Sequence, residues 1–86
     1  MIEMNKVLFD VFLPATGKHY DFWVPANARM QVVTELIAQA MQVAESDYYC
    51  ASRMSALMYT PTGQIQEPSA TVAEIGFTNG DSFVLV

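Results

Sequence analysis

The sequence predicts an α+β domain, a mixed sheet of four to five strands with one helix packed on one face. Three observations predict it. Two β-rich segments, Lys6–Leu13 and His19–Val24, flank a single turn signal at Pro14-Ala15-Thr16-Gly17. One stretch, Met30 to Glu45, repeats its apolar residues at spacings of three and four. A last apolar segment, Ser82–Val86, is set off by the turn dipeptide Asn79-Gly80.

The two leading segments read as an antiparallel hairpin with a four- or five-residue loop. Alternation sorts their faces, because successive side chains on a strand point to opposite sides. Asp10 should avoid the core, which sends Val7, Phe9, Val11 and Leu13 inwards; Asp21 does the same for Tyr20, Phe22 and Val24. Pro25 ends the second strand. The helix should bury Met30, Val33, Leu36, Ile37, Ala40, Met41 and Ala44 as one stripe, and Asn27 is the nearest good capping side chain, with Arg29 closer to the apparent start. Ser46–Met54 reads as a loop with at most one helical turn. Ala56–Thr60 is a third strand with Leu57 and Tyr59 inward, and Pro61-Thr62-Gly63 turns into a short edge piece around Ile65. Ala70–Glu74 makes a helical turn closed by Gly76, a residue suited to a left-handed exit. In the last strand Phe83 and Leu85 face the core. One helix on a mixed sheet in this order is the β-grasp layout, with the first and last strands as parallel neighbours at its centre.

A chain of 86 residues, 52% hydrophobic and 15% charged, is expected to be one domain, 1–86, with a packed core. Nine acids against four bases leave a formal charge of −5, which argues against a nucleic-acid partner, since that needs a basic face. One cysteine cannot form an internal disulfide and leans towards a reducing compartment. No basic segment followed by a long apolar one opens the chain, and no apolar run is long enough to span a bilayer. The expectation is a cytoplasmic domain without membrane insertion.

The order of elements, with Thr71-Val72, then Phe77, then Phe83 and Leu85, resembles the ubiquitin-like superfamily over almost the whole chain. Within it the chain is most similar to the YukD-like (EsaB-like) proteins of bacterial type VII secretion systems. The segment Gly76-Phe77-Thr78-Asn79-Gly80-Asp81 looks like that family's C-terminal signature, and Gly17–Pro25 and Thr34-Glu35-Leu36-Ile37 resemble its hairpin and helix. Arg29 departs from the pattern, standing where relatives often carry a capping Thr, and the Asp47–Arg53 connection does not align. The resemblance implies a cytosolic, non-catalytic accessory component of the machinery that exports small helical WXG-type substrates, in contact with other components of it.

A conjugated modifier or sulfur carrier presents a flexible tail ending in Gly-Gly. No glycine follows Gly80, and Val86 falls inside the last expected strand. With a native end at Val86, the expectation is a docking surface rather than an attached modifier. The alternatives are a modifier or sulfur carrier whose Gly-Gly lies beyond Val86, or a ubiquitin-like adaptor of another pathway.

No enzyme activity, cofactor or metal is expected. His19 is the only histidine and Cys50 the only thiol, and the face assignments separate them, which leaves a solvated His and a small, partly buried Cys. No His/Cys cluster has ligand spacing, and neither Asp47 nor Asp81 lies in a calcium-loop pattern. Thr16-Gly17-Lys18 lacks the upstream glycine of a phosphate loop. Leu13-Pro14-Ala15-Thr16-Gly17 spells a sortase pattern but lacks the apolar span and basic tail of a sorting signal, so it reads as a turn.

The outward sheet face departs from the usual polar pattern of a half-exposed sheet. It is expected to carry Leu8 and Phe12 around Asp10, Trp23 beside Asp21 and His19, and Met58, Val84 and Val86. With a four-residue loop Leu8 faces Trp23, Asp10 faces Asp21 and Phe12 faces His19. The two facing carboxylates would be relieved by a basic partner group. A tryptophan-centred patch broken by acids has the composition of a protein interface, so these eight outward residues (His19 apart) are the candidate partner-binding set. The same face could pair two copies into a homodimer. Against this, Trp23 could lie beneath Asp47–Arg53 or the N-terminal residues.

Overall fold

A computed structural model of the chain describes residues 5–86. It contains β1 (Lys6–Leu13), β2 (Lys18–Pro25), α1 (Met30–Ala44), β3 (Leu57–Tyr59), β4 (Gln64–Ile65), α2 (Val72–Ile75) and β5 (Asp81–Leu85). The strands form a five-stranded sheet in the order β2-β1-β5-β3-β4. β1 and β5 run parallel and the other neighbours antiparallel. This is the β-grasp fold, with the parallel pair at its centre.

The hairpin closes through Pro14–Gly17. Thr16 and Gly17 both donate from their backbone N–H to the Leu13 carbonyl, at 3.2 and 2.9 Å, and Gly17 turns at φ 68°. That four-residue loop fixes the register, and Leu8 pairs with Trp23, Asp10 with Asp21 and Phe12 with His19. The odd-numbered side chains of β1 from Phe9 to Leu13 are buried, as alternation requires. Phe9 stacks on Phe83 with centroids 4.2 Å apart, and Phe77 meets both rings edge-on. Tyr20 and Phe22 sit half-buried at the margin of this core.

The face that α1 buries differs from the expected stripe. Met30, Val33, Ile37 and Met41 are buried, but so is Ala38, whereas Leu36 is 55% exposed and Ala40 and Ala44 face solvent. At roughly 100° per residue, Leu36 and Ala40 lie to one side of the Val33–Ile37–Met41 seam and Ala38 to the other. The helix is rolled towards Ala38. Ala44 closes the helix, one residue before its cap at Glu45.

Capping also differs from expectation. Arg29, not Asn27, is the N-cap, and no side chain caps the helix. The Ala70 and Pro68 carbonyls instead accept from the N–H groups of Met30 and Gln31, at 2.8 and 3.0 Å, so a distant loop satisfies donors a cap would otherwise take. α2 carries a capping box, Thr71 with Glu74, and exits through Gly76 at φ 95°.

Residues 46–54 form turns without a helix. Gln42 Oε1 accepts from the Ala51 N–H at 2.7 Å, and the Tyr49 and Ser55 hydroxyls meet at 2.6 Å. Cys50 is exposed rather than partly buried, because its neighbours Tyr49 and Ala51 take the inward positions. β3 is one residue shorter at each end than Ala56–Thr60, yet the ladder continues: Val86 and Ala56 exchange backbone bonds of 2.9 and 3.1 Å, and Thr60 N–H donates to Ser82 at 2.9 Å.

Candidate functional site

The outer sheet face collects seven of the eight residues expected on it into three rows. The strand pairings set His19 beside Phe12, Phe12 beside Val84, Val84 beside Met58 and Met58 beside Ile65. This row crosses all five strands and is apolar beyond His19. Next to it runs a polar row, Asp21, Asp10 and Ser82. On its far side Trp23 pairs with Leu8. Val86 stands beyond the apolar row, opposite Ala56.

Exposure grades across this surface. Leu8, Phe12, Met58 and Val84 are half-buried by their neighbours, whereas Trp23 is 58%, Val86 53% and Ile65 60% exposed. Leu8 is held by the turn before β5: its N–H donates to Asn79 Oδ1 at 2.9 Å and its carbonyl accepts from the Gly80 N–H at 2.9 Å. A shallow depression of about 290 Å³ opens over Ser82, walled by Phe12, His19, Thr60 and Val84.

The carboxylate pair is only partly relieved from within. His19 Nδ1 lies 3.0 Å from Asp10 Oδ1, and its ring leans on Phe12 with centroids 4.9 Å apart. Asp21 makes no hydrogen bond or ion pair among the described residues. His19 thus lies against Asp10 from within the chain, and no such group lies against Asp21 among the described residues.

Residues 46–54 do not cover Trp23. Their inward side chains pack on the core, and Ala51–Met54 wall a groove of about 760 Å³ against α1, on the other face of the sheet. The expected alternative of cover by the N-terminal residues lies outside the described residues. His19 and Cys50 occupy separate places, the outer face and the loop after α1, and no hydrogen bond joins them. Among the described residues no three His, Cys, Asp or Glu side chains are grouped to hold a metal.

Ile65 is the member of the face that sequence reasoning missed. Its signal was the turn length: four residues, Thr60–Gly63, separate Tyr59 from its partner Gln64, which places Ile65 opposite Met58. Tyr20 was also read only as an inward residue. Its hydroxyl donates to Glu45 Oε2 at 2.7 Å and meets Thr16 Oγ1 at 3.0 Å, tying the hairpin to the end of α1. The Thr16 bond favours the phenolate, but the Glu45 bond, desolvation and the Glu45 charge together outweigh it and raise the phenol above its ordinary value.

No family model matches the chain, and no curated protein matches it by sequence. Solved structures do. The EccD5 ubiquitin-like domain from Mycobacterium xenopi is similar at a TM-score of 0.80 with 11% identity, over 95% of this chain and 93% of that one. The ubiquitin-like domain of the Mycobacterium tuberculosis type VII secretion protein EccD1 is similar at 0.74 with 14% identity, over 96% and 99%. The ubiquitin of Caldiarchaeum subterraneum is similar at 0.68 with 18% identity, over 94% and 91%. Among the described residues no helix is long and apolar enough to cross a membrane. At these identities the likeness speaks for architecture alone, and it establishes that the chain has the ubiquitin-like β-grasp fold.

Proposed function

We propose that this chain is a non-enzymatic, cytoplasmic docking module of a type VII secretion apparatus, of the YukD-like kind, acting beside the machinery that exports WXG-type substrates. The outer sheet face is its partner-binding surface. The observation that carries the reading is a ubiquitin-like body whose sheet exposes Trp23 to 58% on the same face as a continuous apolar row. Large apolar area on a soluble domain marks contact with another protein, and aromatic anchors supply most of the energy of such contacts. The likeness to the EccD5 and EccD1 domains favours a secretion component over an adaptor of another pathway.

The test is titration calorimetry of the chain against the soluble domains of type VII secretion components from its own source. At least one should bind, and Trp23→Ala should weaken that binding by about tenfold or more. Equal binding by the wild type and Trp23→Ala overturns the assignment of the surface.

A further inference from the structure

We infer that the outer face seats an amphipathic helix of a partner protein whose apolar seam is interrupted by one arginine, received by Asp21. This rests on the docking reading above and adds the chemistry of the occupant. Three facts combine. The polar row Asp21–Asp10–Ser82 lies between two apolar rows, Trp23–Leu8 on one side and Phe12–Val84–Met58 on the other. Asp10 already has His19 at 3.0 Å, while Asp21 has no partner among the described residues. The chain carries a formal charge of −5, so an approaching cation is favoured at long range as well. Among the described residues, the cations of the hairpin are Lys6 and Lys18, at the far ends of β1 and β2; no ion pair joins either to Asp21.

A helix suits this face. The N–H and C=O groups of β1 and β5 are spent on neighbouring strands, so the face itself offers no backbone partners, and a helix satisfies its own. Spacing agrees. Side chains on one face of a strand recur about every 6.8 Å, and residues i and i+4 of a helix are about 6 Å apart along its axis. A helix running along β1 and β2 therefore sets an apolar side chain on Trp23–Leu8, a cation on Asp21, and a second apolar side chain on Phe12–Val84. Arginine fits better than lysine, because its fork takes a carboxylate bidentately and its plane can lie against the indole of Trp23, two residues along the same strand.

Three acetylated, amidated helical peptides of about 20 residues, lacking tryptophan, provide the probe. Each has leucine at i−4 and i+4 and arginine, glutamate or leucine at i. Binding is titrated and mapped by amide NMR shifts, and in the wild type it is also read from the fluorescence of Trp23, the chain's one tryptophan. The arginine peptide should bind about tenfold or more tighter than the glutamate peptide at low salt, with shifts on β1, β2 and β5. Asp21→Asn, at an exposed position, should shrink that preference severalfold, and added salt should shrink it further. If all three peptides bind the face equally and Trp23→Ala weakens them all, the docking reading stands and the arginine inference is overturned. Shifts confined to α1, or no binding by the arginine peptide, overturn the inference as well. An arginine preference that survives Trp23→Ala undiminished counts against the docking surface instead.

Discussion

In the proposed docking role Trp23 separates binding from stability, because its side chain is mostly in water while its backbone is locked in β2. Trp23→Ala should leave the free energy of unfolding within about 0.5 kcal/mol of wild type in urea denaturation, since exposed substitutions away from special features are usually that mild. A large loss of stability would show that the indole is buried by something and cannot anchor a partner. Tyr20 behaves in the opposite way: it is a tie within the fold, bonded to Thr16 and Glu45. The raised folded value means that the fold favours the neutral phenol. The stability it contributes is therefore whole below the ordinary tyrosine range near pH 10 and is lost as pH rises through the raised value. Tyrosinate absorbance should reveal a phenol that ionises above the ordinary tyrosine value, and Tyr20→Phe should remove that component.

At the scale of elements, α2 matters more than its length of four residues suggests. Its approach supplies the carbonyls that receive the first N–H groups of α1, and Val72 and Ala73 donate in return to Ala28 and Ala26 at 3.0 and 2.8 Å. The two helix starts thus brace each other. Thr71→Ala removes one half of the capping box and should cost about 1 kcal/mol. Gly76→Ala forces a side chain into a left-handed backbone and should cost about the same. Both are measured by urea denaturation, and no change in either would show that the brace is dispensable. The helical turn and its glycine exit were readable from Ala70–Gly76, whereas the loop that serves α1 in place of a cap was not. Asn27 has the right chemistry and the wrong place, because the donors of Met30 and Gln31 are already taken by Ala70 and Pro68.

For the whole molecule, Phe83 is the keystone: it lies on the central strand, is fully buried and meets Phe9, Phe77 and Tyr59. Phe83→Ala should cost about 3–5 kcal/mol, a large share of the roughly 5–15 kcal/mol that a domain has in total. Thermal or denaturant unfolding would show it, and a milder effect would mean that the core collapses around the loss. In hydrogen exchange the β1 and β5 amides should be slowest and those of β4 fastest, because β4 is a two-residue edge strand with both residues exposed.

Much of the outer sheet face was readable from the linear chain for a local reason. A strand repeats every two residues, so Asp10 and Asp21 alone assign the faces of β1 and β2, and a four-residue turn then pairs Leu8 with Trp23 without reference to anything distant. The partner of Asp10, the place of Ile65 at the end of a five-strand row, and the roll of α1 towards Ala38 were settled by the folded molecule. Each depends on which neighbour arrives from elsewhere: His19 across the hairpin, β4 beside β3, and the sheet beneath α1. A helix with apolar residues on more than half its circumference has several faces it could bury, and only the shape of the surface it meets selects one.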